Sequence, residues 1–154
     1  MNSYEAAKSD ASNVPSAAAW LGGFGLMPFV VLSFAETFAG DALKARLSFA
    51  LLAYGAIILS YLGGVHWGLA IAVPQIDNIL WRRITLSILP SLVAWLALVT
   101  PSSIGFLILA GAFVAMLLVD IQASRVQEAP AWYPKLRWPL SCGAVATLLL
   151  GTFS

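Results

Sequence analysis

Few side chains in this sequence could do chemistry, and its lone histidine, His66, comes first among them. It sits inside a long apolar run, between Gly64 and Gly68. An imidazole there can fix a packing contact, relay a proton or touch a cofactor. Asp120 is the second candidate, at the end of another apolar run. Arg83, Arg125 and Arg137 fall at matching depth, so with Asp120 they are predicted to form an interfacial charge cluster. Ser87 and Ser91, one helical turn apart, are the predicted hydrogen-bond partners of His66. Counting residues from the run ends puts Asp120 nearer the boundary than His66 and ranks it second as a partner.

The same inventory excludes several chemistries. The single cysteine, Cys142, permits no intrachain disulfide. One His and one Cys cannot build a structural zinc or iron–sulfur site, nor can one chain give a haem two His ligands. There is no GxSxG, no HExxH and no glycine-rich phosphate loop. No catalytic residue, metal or cofactor is expected from these residues.

The elements that position these residues are apolar helices. Hydrophobic residues make up 60% of the 154, and charged ones only 10%, against about 25% in soluble domains. Mean hydropathy is +0.88. The net charge of +1, with no basic stripe, gives no reason to expect nucleic acid. The apolar runs are continuous and do not alternate, so spanning strands are excluded. The expected fold is an all-α polytopic membrane bundle of about five transmembrane helices, over 17–38, 47–73, 84–99, 104–121 and 138–153. Residues 1–16 read as a flexible polar tail, and 40–46, 75–83 and 122–137 as loops. The last run has only 16 residues as counted from the sequence. Pro28 and Pro90 interrupt the first and third runs, and Glu36 reads as interfacial.

Lys8, Arg82, Arg83, Arg125, Lys135 and Arg137 fall on one side, Lys44 and Arg46 on the other. That split predicts an inside N-terminus and an outside C-terminus. Trp132, Tyr133 and Trp138, interleaved with Lys135 and Arg137, suit a headgroup layer.

The second run carries small residues at every fourth position: Ala56, Ser60, Gly64, Gly68 and Ala72. This predicts a helix-packing face, met by another helix of the chain, a second copy or another membrane protein. His66 lies about 200° around the helix from each flanking glycine. With both faces wanting protein neighbours, the second helix is expected at the centre of the bundle.

Three segments carry a resemblance: YGAIILSYLGGVHWG at 54–68, LPSLVAWLAL at 89–98 and PAWYPKLRWPLS at 130–141, with Asp120 between the last two. Together they resemble the family of small bacterial and mitochondrial membrane proteins named after transmembrane protein sixty-nine, from about Trp20 onward. The resemblance implies the fold and supplies no activity. The tail lacks the Arg-rich character of a mitochondrial leader, so a bacterial inner membrane is expected. The expected function is non-enzymatic: an accessory, assembly or scaffold subunit of a membrane complex, possibly a respiratory one. The alternatives are a small permease or proton-coupled carrier using His66, and a binder of haem or quinone. The expected partners are the lipid bilayer and another membrane protein or a second copy of the chain.

Overall fold

The computed structural model describes residues 13–72 and 77–153. The tail expected over 1–16 falls mostly outside the described residues, Lys8 with it; Ser16 already opens the first helix. Five α-helices and no strands are found among the described residues. They are α1 Ser16–Phe38, α2 Asp41–Ile71, α3 Asp77–Val99, α4 Ser102–Arg125 and α5 Tyr133–Gly151.

The helices reach further than the apolar runs. Residues 41–46, 77–83 and 122–125, expected in loops, are helical. Most are good helix formers, such as Ala42, Leu43, Lys44 and Ala45, and Asp41 favours the positive end of the α2 dipole. Pro28 and Pro90 are accommodated inside α1 and α3. Four helices, over Ser16–Phe38, Asp41–Ile71, Leu80–Val99 and Ser102–Arg125, are long and apolar enough to cross a membrane. The fifth, of 19 residues, carries Lys135 and Arg137 in its first turns and has a shorter apolar stretch.

Neighbours in the chain are neighbours in space, and α1 closes the ring against α5. The helix α2 also packs across the ring on α4 and α5, so it touches every other helix. This is the central place expected for it. The buried face of α2 runs through Leu52, Ala56, Leu59, Leu62, Gly63 and Ala70. Spacings of three and four keep these residues on one side of the helix. The matching face of α4 runs through Phe106, Leu109, Phe113, Met116, Asp120 and Ala123. Phe29 of α1 enters between them, edge-on to Tyr54 at 5.0 Å and to Phe113 at 5.9 Å between ring centroids.

A close approach of α2 to α3 uses Gly63 rather than Gly64 or Gly68. A Cβ on Gly63 would meet the carbonyl oxygen of Ser87 and stand 3.4 Å from the Pro90 ring. Cβ atoms on Gly64 and Gly68 would find nothing within 4 Å. As a packing face within the chain, the expected stripe of Ala56, Ser60, Gly64, Gly68 and Ala72 is therefore corrected. Ala56 is buried, but Gly64, Gly68 and Ala72 face away from the rest of the chain, and the Ser60 hydroxyl donates to its own helix at the Ala56 carbonyl. A repeat of four drifts round a helix of 3.6 residues per turn, so a stripe of fours leaves the interface within a few turns. The face that stays inward alternates threes and fours.

Glu36 is also corrected. It is buried, and its Oε1 accepts from the Ser48 hydroxyl across the α1–α2 contact. It shares one face of α1 with Phe29 and Ser33, spaced by four and three, which turns it into the bundle.

Candidate functional site

Three ionisable side chains from three helices meet at the end of the bundle where α1 begins. Asp120 of α4 accepts from Arg137 Nε on Oδ2 at 2.7 Å, and its Oδ1 lies 2.7 Å from His66 Nε2. Side-chain exposure is 0% for Asp120, 7% for Arg137 and 13% for His66. An ionised carboxylate paired with a guanidinium can only accept, so Nε2 of His66 carries the proton that points at Asp120. This sets the tautomer of the neutral ring and leaves Nδ1 as its acceptor.

Each of the three residues continues the inward face of its own helix. Asp120 follows Phe113 and Met116 on α4. Arg137 begins the series Arg137, Ser141, Ala144, Leu148 and Gly151 on α5. His66 lies three residues after buried Gly63 and seven after buried Leu59 on α2. Depth completes the match, because α2 ends at Ile71 and α4 at Arg125. His66 and Asp120 each lie five residues before those ends, at about 7–8 Å depth. The helix ends inferred from hydropathy alone lay elsewhere and made Asp120 look too shallow.

The expected His66–Ser pairing is thus corrected. The Ser87 hydroxyl donates to the Ile84 carbonyl of its own helix at 2.6 Å, and Ser91 is exposed. The expected cluster of Arg83, Asp120, Arg125 and Arg137 also divides. Arg137 takes Asp120, Arg83 pairs with Glu128, and Arg125 stays exposed. Glu128 is delivered by the turn after α4. Gln127 adopts a left-handed φ of 59° there, and the Ala123 carbonyl accepts from both Glu128 N and Ala129 N.

Two cavities flank the cluster. The smaller, about 210 Å³, is lined by His66 together with Arg82, Arg83, Gln122 and Glu128. The larger, about 410 Å³, lies between α1, α2, α4 and α5, with Arg137 in its wall. Its remaining lining is almost wholly apolar and aromatic, with Trp132 and Tyr133 at one end. Those two rings stack edge-on at 6.0 Å, while Trp138 points outward and is exposed. Among the described residues, no three His, Cys, Asp or Glu side chains gather as metal ligands.

Comparison with known proteins places the chain. The profile described as "Protein of unknown function (DUF3429)" matches residues 14–153. The chain belongs to the DUF3429 family. It is also 35% identical over 140 residues to Transmembrane protein 69 of Xenopus tropicalis, covering 89% of this chain and 54% of that protein. The chain thus spans about half the length of the curated relative it matches. No solved structure matches it. The resemblance read from residues 54–68, 89–98 and 130–141 agrees with these matches, and the chain is a multi-pass membrane protein similar to Transmembrane protein 69. His66, Asp120 and Arg137 all fall within the matched DUF3429 region.

Proposed function

We propose that this protein is a small, non-enzymatic, proton-linked carrier whose working centre is the His66–Asp120–Arg137 cluster. The observation that carries the reading is the position of the cluster between two cavities. His66 lines one, Arg137 lines the other, and Asp120 holds both side chains. Such a cluster is hard to justify as a fold stabiliser. Desolvation of a buried ion pair offsets much or all of its attraction. Ionisable groups at membrane depth are costly, and they mark ion or proton pathways.

The mechanism follows from one carboxylate serving two partners. A proton arriving through the smaller cavity adds to Nδ1 of His66 and makes it an imidazolium. Asp120 then faces two cations and divides its negative charge between them, which weakens its hold on Arg137. Release of the proton restores the Arg137 pair. The wall of the larger cavity therefore responds to a proton taken up from the smaller one. We place the protein in a bacterial inner membrane with the N-terminus inside; the distribution of Lys and Arg supports the orientation.

The test is proton flux into liposomes holding the full chain and an internal pH-sensitive dye. The wild type should respond to an imposed pH gradient with a flux at least tenfold above that of folded His66→Gln. Equal fluxes from the two proteins, or none from the wild type, would overturn the reading.

A second reading, an accessory subunit of a membrane complex, is favoured by one feature. Gly64 and Gly68 on α2 have open space where a helix could approach. Gly64→Leu should then release the protein from a larger assembly in mild detergent while leaving its melting temperature unchanged.

A further inference from the structure

Proton uptake leaves the buried cluster with a charge to balance. While His66 is neutral, Asp120 and Arg137 cancel. Once Nδ1 is protonated, His66, Arg137 and Asp120 sum to one positive charge among side chains that are at most 13% exposed. An uncompensated charge in such surroundings is strongly unfavourable. The groups packed around the ring supply no second anion. Asp120 comes from α4 and Arg137 from α5, while α3 brings Arg82 and Arg83. Glu128, from the turn after α4, is taken by Arg83. Tyr61 and Tyr133 stand on the side of the larger cavity. The one carboxyl group of α1, Glu36, lies near the far end of that helix, on Ser48.

The smaller cavity has room for the missing counter-charge. It holds about 210 Å³, and its polar walls are His66, Arg82, Arg83, Gln122 and Glu128. The Arg83–Glu128 pair is neutral, and Arg82 has no carboxylate partner among the described residues. Arg82 and Gln122 are exposed, so an ion arriving from water can reach their donors. Because Nε2 of His66 is turned to Asp120, Nδ1 is the ring nitrogen left for the cavity.

From this arrangement we infer that the smaller cavity binds a small monocarboxylate together with the proton on His66. A single negative charge cancels the single excess charge of the protonated cluster. Two carboxylate oxygens suit the planar fork of the Arg82 guanidinium and leave a lone pair for the Nδ1–H of the imidazolium. Leu69, Leu86 and Val119 line the rest of the cavity and suit a short alkyl group. The space falls below the roughly 300–1,000 Å³ of drug-sized sites, which selects a short chain. A neutral His66 turns a lone pair toward the anion, whereas the imidazolium turns a donor toward it. Proton and anion therefore strengthen each other's binding by the same factor. The inference rests on the proton-linked reading for the proton on His66, and it names the cargo of that carrier as a short-chain carboxylate moved with one proton.

The experiment uses the full chain in mild detergent, purified without a polyhistidine tag. His66 is the only histidine of the chain, so its imidazole resonance in nuclear magnetic resonance reports on one group. At a fixed pH where the ring of the free protein is neutral, sodium propionate should move this resonance saturably toward the imidazolium position. Sodium chloride and the uncharged propionamide should leave it in place. Arg82→Gln changes an exposed side chain and should weaken propionate binding by about tenfold, the loss of one charge-assisted contact. Wild-type affinity for propionate should fall from weakly acidic to weakly alkaline buffer, and folded His66→Gln should lose that dependence. The inference is overturned if propionate acts no differently from chloride, if propionamide moves the resonance equally, or if Arg82→Gln binds propionate as the wild type does. It is also overturned if a short-chain phosphatidylglycerol moves the resonance and propionate does not, which would assign the cavity to a lipid headgroup. Proton flux in liposomes without propionate binding sinks this site and leaves the carrier reading standing. Propionate binding without flux upholds the site and sinks the carrier reading. Should His66→Gln fail to fold, the resonance and Arg82→Gln decide.

Discussion

Gly63→Ala adds one methyl group where α2 crosses α3. Its Cβ would land on the Ser87 carbonyl oxygen, a backbone atom that cannot rotate away, with the Pro90 ring at 3.4 Å on the other side. The two helices must then separate, and overpacking of this kind costs about 1–3 kcal/mol. Gly64→Ala, one residue on, adds the same methyl where nothing lies within 4 Å. It gains helix propensity, up to about 1 kcal/mol, and gives up no contact within the chain. For a chain of this length each kcal/mol moves the melting temperature by about 2–4 °C. Gly63→Ala should therefore melt about 3–10 °C below the wild type, and Gly64→Ala at or slightly above it. The assay is thermal unfolding of the purified proteins in one mild detergent, followed by circular dichroism. The reasoning fails if Gly63→Ala melts with the wild type, or if Gly64→Ala falls as far.

Asp120→Asn leaves Arg137 buried with an uncompensated charge and should cost about 3–5 kcal/mol. The double variant Asp120→Asn/Arg137→Gln should recover part of that loss, a coupling that a double-mutant cycle in denaturant measures. Tyr54→Phe removes a 2.8 Å donation to the Gly25 carbonyl that ties α2 to α1, and should cost about 0.6 kcal/mol by thermal unfolding. Gln127→Gly relieves a left-handed φ of 59° in the turn before α5 and should stabilise by up to about 1 kcal/mol in the same assay. With Cys142 replaced, a cysteine at Ala42 should react with an impermeant thiol reagent from outside intact cells, and one at Gln127 should not. Labelling in the opposite pattern would reverse the proposed orientation.

The membrane class of this protein and its helical elements follow from the order of residues alone, whereas α2 is central through a face other than the stripe of fours that suggested it. Long uncharged runs leave the backbone one way to satisfy its hydrogen bonds in lipid, so the helices are dictated locally. The residues of the site were also visible there, because a lone His66 and an Asp120 in apolar surroundings stand out by type. Their partnership was not visible. Whether His66 meets Asp120 or Ser87 depends on where two helices end and how far one slides past the other. Ile71 ends α2 inside the apolar run of 47–73, and Arg125 ends α4 beyond the run that closes at 121, so hydropathy marks neither end. The choice of Gly63 over Gly64 was hidden for a similar reason. Adjacent glycines lie about 100° apart on the helix, and only the packing of Ser87 and Pro90 against one face decides which of them must lack a side chain. Arg137 shows the same limit from the other direction. By type and position it belongs at the interface, yet it is buried, because its place on the inward face of α5 brings it to Asp120. Residue type announces which groups are costly to bury, while the register between helices, a tertiary property, decides which of them share that cost.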